Sequence, residues 1–583
     1  MPTARRTALL GGGVSTYVDL NFAASRYKAG AASAGDLTAL PGFTFTRASL
    51  AMGYDATGKL VYGPNNLFLQ SEDCGNASWN AVNGGVGVAP TKTSNYALAP
   101  DGTMTAARWQ CSLGGGTTSA DVSFVGQGPS GIIRINCVMS AWLRTADGST
   151  QTVYMQAGSV TEIKTVTGTW AQYFIAGNPG AGNTCGIGLK GAQVPACPNT
   201  LDLLAWRPQV EAVTYQTTPS TYYPTTTAAY YGPRLVYDPV TLASQGILVE
   251  EARTNNARQS QTLDEATWVK SGVTVTANAT ASPDGTTNAD ALVEDGATSQ
   301  HQVNIFTTVA TTTVYTVSAY LKAGTRSWAR VRVLSGATDI SGDINLSTGA
   351  LGTVAGPATW SVQTLPNGWY RLAGVFTSAA STSSTTTICA MSADNTASYT
   401  GVNGNIAIYA WQAQLEAGTG ASSPIPTTTA AVTRAADNVN FTGLSAPAPY
   451  SVVSEFNVPR TASGVDIVNW GTLANGAGQY LATSGLAYVR ESSSTTALVI
   501  GATVTANVTQ KMAARYAVND VNLAVNGTLA TADTSVNPPA TMANLALSNS
   551  VFGFGGININ GTISRIRIYN RALPDAQLQS LTT

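Results

Sequence analysis

The chain comprises 583 residues, 44% hydrophobic and only 10% charged, with a formal net charge of −1. That length exceeds what one hydrophobic core serves, so about three or four domains are expected. A near-neutral chain without clustered Lys and Arg excludes nucleic acid as a partner, and charge repulsion this weak predicts that assembly hides apolar surface.

Read from the N-terminus, "MPTARRTALLGGGV" holds two arginines but an apolar run of only three residues, shorter than the core of a secretory signal. No run reaches membrane-spanning length, so neither a targeting signal nor membrane insertion is expected. The six cysteines include no CxxC pair and the single histidine is His301, which excludes a zinc site. Cys185 and Cys197 are near enough in sequence to bridge one loop, but buried free thiols in a reduced compartment are the favoured reading.

Residues 1–62 read as an N-terminal attachment segment containing "FTFTRAS" from Phe43 and "YDATGKLVYGP" from Tyr54. Beyond it the chain repeats itself. "NNLFLQSEDCGNASWN" from Asn65 matches "TNNARQSQTLDEATWV" from Thr254, with Trp79 answering Trp268. "APDGTMTAAR" matches "SPDGTTNADAL", "SAWLR" matches "SAYLK", and "AWRPQVE" matches "AWQAQLE", all in one order. Each copy closes in a Pro/Thr-rich tail, so residues 63–230 and 255–436 are duplicates.

Short alternating runs broken by Asp-Gly and Asn-Gly turns predict a β-sandwich for each copy. In "SWARVRVL" from Ser327, Ala329, Val331 and Val333 belong to the core, and Trp328, Arg330 and Arg332 to the outer face. The first copy keeps Val153 and Met155 inward and places Thr152, Tyr154 and Gln156 outward. Between the copies, residues 231–254 predict a hairpin that puts Glu250 and Glu251 side by side. Residues 437–583 open a new set of strands. There Val521, Leu523 and Val525 face inward before an Asn526-Gly527 turn, Ile566 and Ile568 face inward, and Pro574 opens a short helix.

Two resemblances follow from these residues. "LAVNGTL" with the closing "GTISRIRIYNRALPDAQL" resembles a concanavalin A-like (laminin G-like) sandwich. "FTRAS", the "YDPVT…GILVEEARTN" hairpin and the jelly roll after it resemble phage and prophage virion proteins of the tail-fibre and structural kind, whose jelly rolls are similar to carbohydrate-binding modules. The first jelly roll departs from that pattern, standing between "YDATGKLVYGP" and "YYGPRLVYDP" where the family runs straight on. The resemblance implies an all-β chain of tandem jelly rolls with a concanavalin A-like C-terminus, located on the virion and made in the bacterial cytoplasm. It also implies attachment to other virion proteins through the N-terminal segment, a homo-oligomer with a trimer favoured, and host-surface glycans as partners.

Catalysis is not expected. His301 has no GxSxG elbow to serve and reads as a surface or loop histidine. Adjacent glutamates on a strand point to opposite faces, so Glu250 and Glu251 cannot both line one cleft; one is expected to pair with Arg253 or Arg234, the other to face solvent or a neighbouring chain. No cofactor is expected. Jelly rolls often carry structural calcium, and Asp101 and Asp284 recur in "PDGT", where a turn is the favoured reading. The candidate glycan-binding residues are Trp328, Arg330, Arg332 and Tyr154, because rings stack on sugar faces and Arg donates in pairs to hydroxyls. Packing of that face against a neighbouring domain or subunit is the equal alternative, and a decoration role or a glycan-cleaving spike remain as rival functions. Trp206 and Trp411, like Trp79 and Trp268, read as core.

Overall fold

A computed structural model describes residues 17–459, 465–471, 476–481, 486–491, 497–535, 538–548 and 558–583. The leader reading of the first residues lies outside them. The protein is all-β, and among the described residues one α-helix, Asp575–Thr582, follows Pro574 near the C-terminus.

The duplication is visible in strand order. One sheet of the first module runs Val88–Ala97, Ala106–Ser112, Thr200–Ala212, Cys137–Thr145, Ala171–Gly177. Its counterpart runs Val273–Ala281, Thr287–Glu294, Ile406–Ala417, Val314–Ala323, Trp369–Thr377, with Ala358–Thr364 added at the edge. The facing sheets match in the same way: Asn80–Gly84, Val122–Gln127, Cys185–Lys190, Gln151–Ala157 and Val160–Val166 correspond to Val269–Ser271, Thr298–Thr308, Ser383–Met391, Trp328–Ser335 and Thr338–Asn345. Period-two alternation sends Val153 and Met155 into one core and Ala329, Val331 and Val333 into the other.

The two roots match atom for atom. Asn66 accepts from the Phe68 and Val210 amides, and Asn255 accepts from those of Ala257 and Leu415. Trp79 and Trp268 are buried, and each indole donates to a Gln carbonyl, Gln70 or Gln259, at 3.0 Å. All six cysteines are free, five of them buried.

The third sandwich is discontinuous in sequence. Tyr450–Asn457 and Gly561–Tyr569 lie at the middle of one sheet, and Val18–Asn21 pairs with the latter, Val18 opposite Ile568 and Leu20 opposite Ile566. Ser244–Val249 of the hairpin pairs with the same strand further along. In the facing sheet Phe43–Thr46 pairs with Asn438–Pro447. Residues 17–46 are therefore not a separate attachment segment, which corrects that expectation. Val18 and Leu20 alternate with Asp19 and Asn21, and an apolar face of this kind is satisfied only by joining a sheet core. Both jelly rolls are insertions into this sandwich, entering and leaving through two-stranded clips: Asn65–Asn66 with Tyr230–Tyr231, and Arg253–Asn255 with Val432–Arg434. Asn526 and Gly527 both have positive φ, the requirement of the tight hairpin turn read from the sequence.

The short hairpin Met52–Tyr54/Leu60–Tyr62 lies on the outer face of the second module, where Met52 and Leu60 pack on Tyr320, Trp369 and Trp411. Trp411 is thus buried by a neighbouring hairpin rather than within its own sandwich.

Candidate functional site

Where the chain crosses between modules, five charged side chains form a buried network. Arg234 lies 2.6 Å from Glu250, Arg434 lies 2.9 Å from the same carboxylate oxygen, and Arg47 lies 2.7 Å from Asp437. Arg234 also binds Asp437, so one guanidinium joins both acids. Ser423 donates its amide and hydroxyl to Glu250 at 2.7 and 2.6 Å. Burial pushes the Glu250 carboxyl up, but Arg434, Arg234 and Ser423 outweigh it and hold it at about 2. Burial lowers Arg47 to about 10 against the attraction of Asp437.

Glu250 and Glu251 follow the strand end at Val249, Glu250 buried in this network and Glu251, its side chain 25% exposed, paired with Arg253. One of them is expected to pair locally and the other to face outward; both are paired, and Glu251 alone keeps part of its side chain exposed. The Arg253 guanidinium lies where a side chain at residue 418 would begin: a Cβ on Gly418 would fall 1.1 Å from its Nη1. Glu250 is thus held ionised by two guanidiniums, and Glu251 is paired with a third.

On the second module, Trp328, Arg330 and Arg332 occupy the outer face of their strand and are each partly exposed. Register places Cys389 and Gln302 in line with Arg330, and Thr387 and Asn304 in line with Arg332. Gln300, Gln302, Arg330, Arg332, Asp339 and Thr387 line a shallow cleft of about 100 Å³. Arg330 is fixed by both oxygens of Asp343 at 2.6 and 3.0 Å, while Arg332 gives its Nε to Asp339 at 2.8 Å. Phe306, 58% exposed, stands on the same face. The arrangement offers two rings flanking a row of amide, hydroxyl and guanidinium groups, the composition that stacks on and hydrogen-bonds to sugars.

Tyr154 is not part of an equivalent face. It is 1% exposed, its hydroxyl donates to Gln156 at 3.0 Å, and burial pushes it up to about 12. Residues 191–199 fold across this side of the first module, anchored where Thr152 donates to the Ala196 carbonyl at 2.7 Å. His301, expected at the surface, is fully buried on the core face and stacks on Tyr399 with ring centroids 4.3 Å apart. Its pairing opposite Ala390, with Val303 and Ile305 on the same side, is the two-residue period that could have placed it.

Asp101 and Asp284 each accept from the amide and hydroxyl of the Thr two residues on, at 2.6–3.0 Å, with Gly102 and Gly285 at positive φ. That is the turn geometry Asp-Gly favours. Among the described residues no group of three or more His, Cys, Asp or Glu is placed to hold a metal ion.

A larger cleft of about 1120 Å³ opens between the two jelly rolls, lined by Leu50, Ile133, Asn136, Gln261, Asn278 and Thr428 among others. No helix among the described residues is long and apolar enough to cross a membrane.

No family model matches the chain, and no curated protein matches it. Solved structures with a similar fold include a sialidase carbohydrate-binding module of Ruminococcus gnavus bound to α2,6-sialyllactose. It is 16% identical, covers 24% of this chain and 85% of its own, with a TM-score of 0.21. Domain 4 of the Geobacillus stearothermophilus arabinanase AbnA, in complex with arabinotriose, is 14% identical over 28% of this chain and 82% of that one, TM-score 0.23. The tandem CBM22 modules of Paenibacillus barcinonensis Xyn10C cover 61% of this chain and 98% of their own at 11% identity, TM-score 0.18. At these identities the likeness concerns the β-sandwich fold and nothing further.

Proposed function

We propose that this is a non-catalytic phage or prophage virion protein of the tail-fibre type that holds host-surface glycans on the outer face of its second jelly roll. The observation that carries glycan binding is the cleft of Gln300, Gln302, Arg330, Arg332 and Thr387, with the partly exposed Trp328 on the same face of its strand. The virion role rests on the resemblance of "FTRAS" and "YDPVT…GILVEEARTN" to such proteins. Attachment to other virion components through the N-terminal segment then falls to residues 1–16, outside the described residues. A homotrimer located on the particle would multiply weak single-site affinities into avidity. No cofactor takes part, and calcium at the "PDGT" turns would be structural only.

A decoration role is the second reading, favoured by the exposed Phe306, Leu351 and Val354 near the same face, which suit a protein partner as well. A glycan-cleaving spike is the third. Printing the whole chain against an array of bacterial surface glycans separates the first two. A hit abolished by Trp328→Ala supports glycan attachment; no hit, with the chain nonetheless recovered in purified particles, favours decoration. Shortened polysaccharide after incubation with the protein would overturn the non-catalytic reading.

A further inference from the structure

The face of the second module that the Met52–Tyr62 hairpin covers has a bare counterpart on the first. Tyr320 pairs across its sheet with Trp411, and Trp142 pairs in the same register with Trp206; a bulge precedes each pair, at Ser318/Tyr320 and Ser140/Trp142. The residues after the two tryptophans, Gln412 and Arg207, share a left-handed conformation, φ 50° and 47°. Trp369 opposes Lys322, and Trp170 takes the matching place beside Arg144, whose neighbour Leu143 opposes Ala171. The aromatic triad has therefore been kept in both copies. In the second it is sealed by Met52 and Leu60; in the first Trp142 and Trp170 remain partly exposed beside exposed Tyr96 and Leu98.

The charges on this face are unevenly matched. Arg108 is clamped by both oxygens of Asp202, and Arg207 lies 3.4 Å from Glu72 and 3.5 Å from Asp101 while stacking on Trp206. Arg144 has no carboxylate partner among the described residues. Its Nε is buried without a hydrogen-bond partner, and its guanidinium lies 5.5 Å from the centre of the Trp170 ring. A guanidinium held over an indole and left without an anion is complementary to a ligand with a carboxylate on a ring that can stack.

We propose that the Trp142–Trp170–Arg144 face of the first module is a second binding site, specific for a carboxylated sugar such as a uronic or sialic acid residue. The indoles take the sugar ring, and Arg144 takes the carboxylate through its paired N–H groups. This site is distinct in module, sheet and charge preference from the Trp328 face and does not depend on it.

The test is titration calorimetry on the full chain with oligogalacturonate, its methyl ester, a sialylated trisaccharide and a neutral oligosaccharide. An acidic probe should bind, and affinity should fall about tenfold or more on esterification, in Arg144→Gln and in Trp170→Ala, as expected when a charged hydrogen-bond partner is removed. Arg144→Lys should recover part of the loss, and thermal unfolding of each variant checks that it folds. Absence of carboxylate-dependent binding, or binding indifferent to Arg144→Gln, overturns the proposal and leaves the Trp328 site untouched. Dissociation of an oligomer by Trp170→Ala without such binding would assign this face to a second copy and equally overturn it.

Discussion

Arg47 and Asp437 lie 390 positions apart in sequence, yet their side chains meet at 2.7 Å and neither is more than 1% exposed. With Arg234, Glu250 and Arg434 they tie together the points where the chain leaves and re-enters the split sandwich. Removing Asp437 leaves the buried Arg47 guanidinium without its counter-charge and Arg234 with Glu250 alone. Asp437→Ala is accordingly expected to cost about 3–5 kcal/mol, measured by urea unfolding of the full chain. A loss under about 1 kcal/mol would show that water reaches this network.

Acid should loosen the same network, with a defined sign. The folded Glu250 value of about 2 lies below the ordinary 4.5, so its contribution is present above pH 4.5 and lost as pH falls towards 2. Its size is on the order of 3 kcal/mol. Asp290 acts in the opposite sense, because burial raises it to about 6 from 3.8 despite amide donors from Leu263 and Asn278. Its contribution is complete below pH 3.8 and lost as pH rises through 6, on the order of 3 kcal/mol. Unfolding midpoints from pH 2 to 7 should show Glu250→Gln flattening the change between pH 2 and 4.5 and Asp290→Asn flattening that between pH 3.8 and 6. Unaltered pH profiles in both variants would contradict these environments.

The hairpin on the second module should depend on Leu60, which is 1% exposed between Tyr320, Trp369 and Trp411. Leu60→Ala is expected to cost about 2–5 kcal/mol for that contact. Amide exchange at residues 52–62 should then quicken selectively, while the jelly-roll cores keep their protection. Uniform quickening throughout would mean the hairpin is not an independent docking element.

Gly418 offers a sharper steric test. Its φ of 131° and the Arg253 guanidinium lying in its Cβ space leave no room for a side chain. Gly418→Ala should displace Arg253 from Glu251 and lower the unfolding temperature of the second module's root. Wild-type stability would show that Arg253 can rest elsewhere at no cost.

What could be read from the sequence was local or repeated. The duplicated motifs predicted matching strand orders, Asn526-Gly527 predicted its turn, and alternation placed Val331 and Ile566 inward. What escaped was set by distant pairing. Nothing near Val18 signals that its partner is Ile568, so residues 17–46 read as separate. Tyr154 looked outward by alternation, and it does leave the sandwich core, but residues 191–199 cover it. Trp206 is buried as read, but beside it Trp142 and Trp170 stay partly exposed because no hairpin covers that sheet as Met52–Tyr62 covers Trp411.

The most direct test of glycan attachment is titration of the full chain with its strongest array glycan, comparing wild type, Trp328→Ala and Arg332→Gln. Recognition by the outer face of the second jelly roll predicts that each substitution weakens binding about tenfold or more while thermal unfolding stays unchanged. Equal affinity in all three proteins would contradict it.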